Sequence, residues 1–218
     1  MIDGALKYIR RKIRDSFKKT LSKSDRKNIN GKPFVIISDD CWGAEIYQWY
    51  GRPYNTPFIG LFIIGPCYNK LLLNFDFYMS QKLEFVEKSK YESPRWADVV
   101  YPIGKLADIE IHFLHYENKE IAIEKWERRT ERMLTETDKN NYFFKISDRE
   151  RNDEFIEDFH KLPYKNKISY SLKDYKSLKN VNHIIINEKS KKGNYVVNGK
   201  KLYKLSFLYF DLHKWLKN

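Results

Sequence analysis

A cysteine stands at the junction of a predicted strand and a predicted helix, a position suited to covalent catalysis. The segment 34–47 starts as an apolar, β-branched run, turns polar at Ser38 and continues with helical character from Cys41. Ligand and nucleophile sites of open α/β sheets concentrate at the carboxyl ends of strands, and the positive end of a helix favours thiolate. The pattern therefore predicts Cys41 as a catalytic nucleophile. The alternative is a buried cysteine that acts as a small apolar residue.

Asp39 and Asp40 directly precede this cysteine and admit several roles. Carboxylates that point toward the thiol would oppose its ionisation, whereas Asp is also a favoured helix N-cap. As oxygen ligands they would suit Mg²⁺ or Mn²⁺, as in a nucleotide-sugar transferase. We assign both to substrate binding, together with Trp42 and Glu45 in the first turns of the helix. We expect no metal or other cofactor unless the transferase alternative holds.

A second cluster of ionisable residues lies in the predicted strand 106–116. Side chains alternate along a strand, so Asp108, Glu110 and His112 share one face. A carboxylate beside an imidazole is the arrangement of an orienting group and a base in acyl transfer. We predict His112 as a catalytic base that Glu110 or Asp108 orients. The alternative is an edge strand whose polar face is solvated, and His115, on the other face, is predicted to be a hydrogen-bonded core residue.

The loop 51–57 follows the helix of Cys41 and contains two prolines, which restrict its conformation. Arg52, Tyr54 and Asn55 would be displayed there, and an arginine can bind a phosphate or carboxylate with two hydrogen bonds. We predict these three residues, with Asp108, as further substrate-binding residues. The two cysteines of the chain lack the spacing of a zinc site and give no disulfide framework.

The fold that must position these residues is predicted as α/β, with a mostly parallel central sheet flanked by helices, because strands and helices alternate along the chain. The predicted helices cover 41–50, 68–83, 118–134, 153–160 and 207–216. The predicted strands cover 34–38, 97–101, 106–116, 142–146, 167–172 and 183–187, with a buried strand or extended segment at 58–64 and a lysine-rich hairpin or loop at 189–199.

The N-terminal residues 2–21 are predicted to form a basic amphipathic helix, since apolar residues recur every three to four positions among lysines and arginines. A polar linker is predicted over 22–32. We therefore divide the chain into a helix and linker, 1–30, and a single α/β domain, 31–218. The helix either lies on an anionic membrane surface or docks on the domain with its lysines solvated.

The formal net charge of +12 is unevenly distributed. Residues 1–28 carry +7, residues 29–160 carry −6 and residues 161–218 carry +11. The predicted site region is thus acidic and shows no nucleic-acid motif, so we expect no nucleic-acid partner. The longest apolar run, 58–67, is far shorter than the roughly 20 residues that span a bilayer. We expect a cytoplasmic protein, with the N-terminal helix offering a peripheral attachment to the inner face of the cell membrane.

Several segments together resemble an uncharacterised bacterial family of exopolysaccharide biosynthesis proteins. The resemblance covers roughly residues 34–217, and the N-terminal helix lies outside it. It implies an α/β fold and a role in capsule or surface-polysaccharide synthesis, and it supplies no reaction. The segments that carry it are 38–47, 51–58, 66–68, 70–72, 101–104, 108–116, 126–129 and 162–167.

Three hypotheses follow for the function. The first is a transferase that modifies a sugar unit or glycan by acyl or related group transfer, with Cys41 as nucleophile, His112 as base and Glu110 as orienting group. The second is a glycosyltransferase-like enzyme that uses a nucleotide sugar and a divalent metal through Asp39 or Asp40. The third is a non-catalytic assembly factor on the membrane surface. The expected ligand is a saccharide or an activated sugar.

Overall fold

A parallel four-stranded sheet forms the centre of this protein in a computed structural model. The structure describes residues 4–29, 31–91 and 99–217. Its strands follow the order β1-β5-β6-β7, and each neighbouring pair is parallel. A smaller antiparallel sheet has the order β2-β3-β4. The strands are β1 (Val35–Ser38), β2 (Glu84–Val86), β3 (Ile103–Leu106), β4 (Ile109–His112), β5 (Tyr142–Ser147), β6 (Asn166–Ser171) and β7 (His183–Ile185).

Helices flank the parallel sheet, so the predicted α/β architecture with its basic N-terminal helix is confirmed. Local signals set several helix ends. The Asn118 side chain accepts a hydrogen bond from the Ile121 N–H at 2.8 Å and starts α6, and Gly51 ends α3 with a left-handed φ of 62°. The helices are α1 (Gly4–Ser16), α2 (Lys18–Asn28), α3 (Trp42–Tyr50), α4 (Gly65–Leu73), α5 (Phe75–Met79), α6 (Lys119–Leu134), α7 (Ile156–Lys161), α8 (Gly199–Ser206) and α9 (Leu212–Lys217).

Two hydrophobic cores cover the two faces of the parallel sheet. Side chains alternate along β5, so Tyr142, Phe144 and Ile146 join one core while Phe143 joins the other. The first core also receives α4, α6 and the antiparallel sheet, and the second receives α3, α8 and α9. Both faces of the central strands are therefore buried, as in parallel sheets generally.

The predicted strand 106–116 is wrong in its bounds. The chain turns at Ala107, whose φ is 51°, and the turn divides the segment between β3 and β4. Asp108 lies in this turn, so it does not share a strand face with Glu110 and His112. All four residues of β4 are buried, which excludes a solvated polar face. Of the predicted strand 97–101, residues 97 and 98 lie outside the described residues and 99–101 are not a strand.

The N-terminal segment also differs from the prediction, because α2 occupies most of the expected linker. Tertiary contacts stabilise this helix: Asp25 accepts a hydrogen bond from Trp49 Nε1 at 2.8 Å, and Arg26 Nε donates to the Trp49 carbonyl at 2.9 Å. Residues 2 and 3 of the predicted helix lie outside the described residues.

Two further elements differ in their bounds. The predicted helix 68–83 is two helices that meet at Asn74. Of the predicted helix 207–216 only residues 212–216 are helical, in α9, and α8 precedes the predicted segment. Residues 58–64 are extended, as predicted, and form one antiparallel bridge, between Phe62 and His112. None of the described helices has both the length and the hydropathy required to cross a membrane.

Candidate functional site

A cavity of about 330 Å³ opens at the carboxyl edge of the parallel sheet, where β1 and β5 end. This edge is where open α/β sheets bind ligands. The cavity collects residues from five segments: those that follow β1, β4 and β5, the extended segment 58–64 and the start of α8. Its walls are Asp39, Asp40, Cys41, Phe62, Ile63, Leu114, His115, Arg149, Asn152, Asn198 and Lys200.

A buried lysine forms the floor of the site together with the two aspartates. Lys145 is fully buried on β5, opposite Ser38 of β1 in the strand register. Its Nζ atom lies 2.8 Å from Asp39 Oδ1 and 2.8 Å from Asp40 Oδ1, and it donates to Ser147 Oγ at 3.2 Å. One ammonium group thus compensates two carboxylates, which leaves the cluster with one negative charge.

Asp39 has no oxygen left for a ligand. Its Oδ2 atom accepts hydrogen bonds from the Ser147 N–H at 3.1 Å, Ser147 Oγ at 3.2 Å and Asn152 Nδ2 at 3.1 Å. Burial raises the pKa of Asp39 to about 6, an effect that Lys145 opposes and the charge of Asp40 reinforces. Asp39 therefore holds Lys145, Ser147 and Asn152 in place.

Asp40 differs from Asp39, because one of its oxygens has no partner. Oδ1 accepts hydrogen bonds from Lys145 and, at 3.0 Å, from the N–H of Trp42, the first residue of α3. Oδ2 is buried and makes no hydrogen bond among the described residues. Burial opposes ionisation, but Lys145 holds the pKa of Asp40 below its usual range. A buried carboxylate oxygen without a donor is uncommon in proteins, so Oδ2 is the atom of this site suited to accept a ligand hydroxyl.

Cys41 lines the cavity, but its surroundings disfavour the thiolate. Its Sγ atom lies 3.9 Å from the Leu61 carbonyl oxygen. Burial, with the negative charge of Asp40, raises the pKa of Cys41 to about 12. These two effects outweigh the helix dipole on which the predicted activation depends.

His112 is absent from the cavity wall and lies behind Phe62. The two rings stack with centroids 4.4 Å apart, and Tyr101 Oη lies 3.1 Å from His112 Nδ1. Glu110 Oε2 lies 3.8 Å from Nε2, beyond hydrogen-bond distance, and Nε2 has no hydrogen-bond partner among the described residues. Burial lowers the pKa of His112 to about 4. Among the described residues no hydrogen bond joins His112 to Cys41, because the imidazole packs against Phe62 and Tyr101.

The other predicted binding residues lie away from the cavity. Trp42 is buried in the core and donates from Nε1 to Ser206 Oγ at 3.3 Å, while Glu45 is half-buried farther along α3. Asp108 is exposed and bonds to Lys70 and Tyr78.

The predicted binding loop 51–57 lies at the opposite edge of the sheet. Arg52 donates to the Lys32 carbonyl at 2.6 Å and Asn55 to the Phe34 carbonyl at 3.0 Å, both at the amino end of β1. Tyr54 packs against Tyr47 of α3, with ring centroids 5.6 Å apart. The reason is geometric: α3 runs away from the carboxyl edge, so its last turn and the following loop return to the amino edge.

Several residues of the site carry no assignment from the sequence alone. The role of Lys145 could have been predicted from the sequence. A lysine inside the run Tyr142–Ile146 of a predicted central strand must be buried and therefore paired with a carboxylate. Arg149 is buried and donates to the Val196 carbonyl at 2.8 Å, and no local pattern points to it or to Lys200. His115 lines the cavity and is exposed, which corrects its prediction as a core residue.

Asn152 and Gly199 fix the geometry around Asp39 and Asp40. Asn152 accepts the N–H of Gly65 at the start of α4 while it donates to Asp39, so its amide orientation is set from both sides. Gly199 brings the start of α8 against α3: a Cβ at this position would lie 2.6 Å from both Asp40 Oδ1 and the Trp42 nitrogen. The site therefore depends on close packing between two helix starts.

The paired aspartates offer a poor metal site. Asp39 is saturated and Lys145 lies between the two carboxylates, so Asp40 alone could supply a free oxygen. No group of three or more His, Cys, Asp or Glu side chains in the described part of the chain has the arrangement of a metal site.

Comparison with known proteins gives two matches. Residues 12–217 match a family described as a domain of unknown function, DUF1919. An uncharacterized protein of Haemophilus influenzae (strain ATCC 51907 / DSM 11121 / KW20 / Rd) is 33% identical over 204 residues, which is 91% of this chain and 91% of that protein. The family match starts inside α1, well before the segment 34–217 on which the sequence resemblance depends.

Proposed function

The chain belongs to the DUF1919 family of domains of unknown function, and for this member we propose an enzyme of surface-polysaccharide synthesis that activates a saccharide hydroxyl through Asp40. The observation that carries the proposal is the buried, unpartnered Oδ2 atom of Asp40, a residue of the cavity wall at the carboxyl edge of the sheet. The sequence resemblance to exopolysaccharide biosynthesis proteins supports the choice of a saccharide.

The proposed reaction uses Asp40 as a general base. A sugar hydroxyl donates a hydrogen bond to Oδ2 and passes its proton to it as the hydroxyl oxygen bonds to the transferred group of a phosphate-linked donor. The bond between that group and the donor phosphate breaks in the same step, and the phosphate leaves with the electron pair. Lys145 and the Trp42 N–H hold the other oxygen, so the carboxylate is fixed in orientation before the ligand binds.

The charges of the cavity suit an anionic leaving group. Arg149 and Lys200 lie in its wall, and with Lys145 they give three cations against the two carboxylates. A phosphate-linked donor would place its negative charge near these side chains. The polar amide groups of Asn152 and Asn198 add hydrogen-bonding capacity for sugar hydroxyls.

The test is the Asp40→Asn variant. Asn keeps an oxygen for Lys145 and the Trp42 N–H, and the cluster becomes neutral, so the fold is expected to persist. The asparagine amide cannot accept the proton of the sugar hydroxyl, so we expect a loss of activity of about 10²–10⁴-fold. A strain that lacks the gene is complemented with each variant, and its surface glycan is quantified by sugar analysis. Thermal melting of the purified proteins checks the fold.

Two matched variants make the result specific. Asp108→Asn changes an exposed aspartate outside the cavity and is expected to restore the glycan fully. Cys41→Ser is expected to retain activity, because the proposed chemistry does not use a thiolate. Full complementation by Asp40→Asn would overturn the general-base role, and loss of activity in Cys41→Ser with an intact fold would return the nucleophile to the thiol.

A further inference from the structure

The N-terminal helix α1 packs on the body of the protein through its cations. Lys7 forms an ion pair with Glu188 at 3.4 Å. The Arg14 guanidinium lies 4.2 Å from the Trp49 ring centroid and 4.5 Å from that of Phe207. Contacts of a guanidinium with an aromatic face are attractive. The charged face of α1 is thus the face that attaches it to the rest of the molecule.

The apolar face of α1 consequently points outward. Leu6, Ile9 and Ile13 follow the spacing of one helix face, and they are 49%, 52% and 53% exposed. Phe17, directly after the helix, is 58% exposed. No residue of α1 is buried. An amphipathic helix that docks on a domain normally buries this face, so the arrangement is inverted.

The apolar surface extends beyond the helix itself. A groove of about 580 Å³ runs between α1 and the body, and Ile13, Leu21 and Leu212 contribute to its walls. Single exposed apolar side chains are ordinary on a protein surface, whereas a continuous patch indicates a binding surface.

Positive charge surrounds this patch on both sides. Arg10, Lys12, Lys18 and Lys19 are all exposed, and residues 1–28 carry a net charge of +7. A second copy of the chain would bring two such basic segments together against their mutual repulsion. An anionic lipid surface offers apolar depth for the leucine, isoleucine and phenylalanine side chains and negative charge for the flanking cations.

We propose that α1 docks this protein on an anionic membrane surface, with the helix axis in the plane of the interface and its outward face, Leu6, Ile9, Ile13 and Phe17, in the lipid. The body-facing contacts of Lys7 and Arg14 then hold the rest of the molecule at the membrane. This proposal does not depend on the reaction at Asp40.

Flotation of the full chain with vesicles tests the docking. Binding is compared for phosphatidylcholine vesicles and for vesicles of phosphatidylcholine with phosphatidylglycerol. We expect binding to the mixed vesicles only, and a loss of at least about tenfold in the double variant Ile9→Ser/Phe17→Ser, since both apolar side chains leave the lipid. The substituted side chains are exposed, and circular dichroism verifies the fold.

The matched control removes exposed apolar side chains elsewhere. Leu73, at the end of α4, and Phe77, in α5, are 65% and 54% exposed, and Leu73→Ser/Phe77→Ser is expected to float like the wild type. Equal loss in this control, equal binding to both vesicle types, or full binding of Ile9→Ser/Phe17→Ser would each overturn the proposal. Analytical ultracentrifugation tests the alternative that a second copy of the chain covers the patch. A wild type that is dimeric and an Ile9→Ser/Phe17→Ser variant that is monomeric would assign the patch to the second copy instead.

Discussion

The buried cluster of Lys145, Asp39 and Asp40 shows how one lysine can organise a site. Its ammonium group joins the ends of β1 and β5 and leaves a single carboxylate oxygen of the cluster without a hydrogen-bond partner. Buried ions are costly unless they are paired and hydrogen-bonded. The cluster meets this condition at every carboxylate oxygen except Asp40 Oδ2, and this exception is the basis of the proposed general-base role.

Replacing Lys145 tests how much this residue contributes to the stability of the fold. Lys145→Met leaves two buried carboxylates without a counter-ion, and we expect the free energy of unfolding at neutral pH to fall by about 3–5 kcal/mol. Urea denaturation measures the change. Lys161→Met removes an exposed lysine whose ion pair with Asp158 is also exposed, and little change is expected there. A small effect in Lys145→Met would mean that the carboxylates are neutral or hydrated in the folded state.

His112 makes the stability of the protein depend on pH. Its folded pKa of about 4 lies below the ordinary value of 6.5, so between these values the unfolded chain binds the proton and the folded chain does not. The free energy of unfolding therefore falls as the pH is lowered from 6.5 to 4, by about 1.4 kcal/mol per pH unit from this residue. His112→Gln is expected to reduce that slope by this amount in urea titrations at several pH values. Parallel profiles for wild type and variant would contradict the assignment.

At the scale of elements, the site is a meeting of helix and strand ends. Strands β1 and β5 deliver the aspartates and the lysine, α3 supplies the N–H of Trp42, and α8 closes the other side. Gly199 permits the close approach of α8 to α3, because its missing side chain leaves room for Asp40.

A methyl group at this contact is expected to disturb the site. Gly199→Ala would place its Cβ 2.6 Å from the Trp42 nitrogen, which is backbone and cannot move aside cheaply. We expect a loss of about 1–3 kcal/mol in stability, measured as a lower melting temperature. Gly4→Ala is the control, because a Cβ at Gly4 meets nothing within 4 Å. Equal melting temperatures for the two variants would show that α8 can shift away without cost.

At the scale of the whole molecule, the acidic and the basic segments of the chain occupy different parts of the fold. The acidic middle of the sequence supplies β1 to β5 and the aspartates of the cavity, while the basic ends supply α1, α2, α8 and α9 together with β6 and β7. These terminal helices share the groove of about 580 Å³, whose walls combine Arg14 of α1 with Trp49 and His213. The N-terminal helices are therefore part of the folded body through polar and cation–π contacts, although they bury little apolar surface.

The sequence by itself determined the α/β class, the turn after β1 and the bounds of α6 and β5, because periodicity, caps and apolar runs are local properties. It located Asp39, Asp40 and Cys41 at the carboxyl edge for the same reason. It misplaced the turn at Ala107, the helix α2 and the division of α4 from α5, where tertiary contacts outweigh local preference.

Only the tertiary structure decided which side chains share the cavity. Arg149, Asn152 and Lys200 reach it from strand ends and a helix start far apart in the chain. His112, by contrast, is buried behind Phe62, and Arg52 lies at the amino edge of the sheet. Strand order and the packing of α8 on α3 bring these residues together or keep them apart. Such long-range pairings leave no periodic trace in the sequence, since each partner satisfies only its own local pattern.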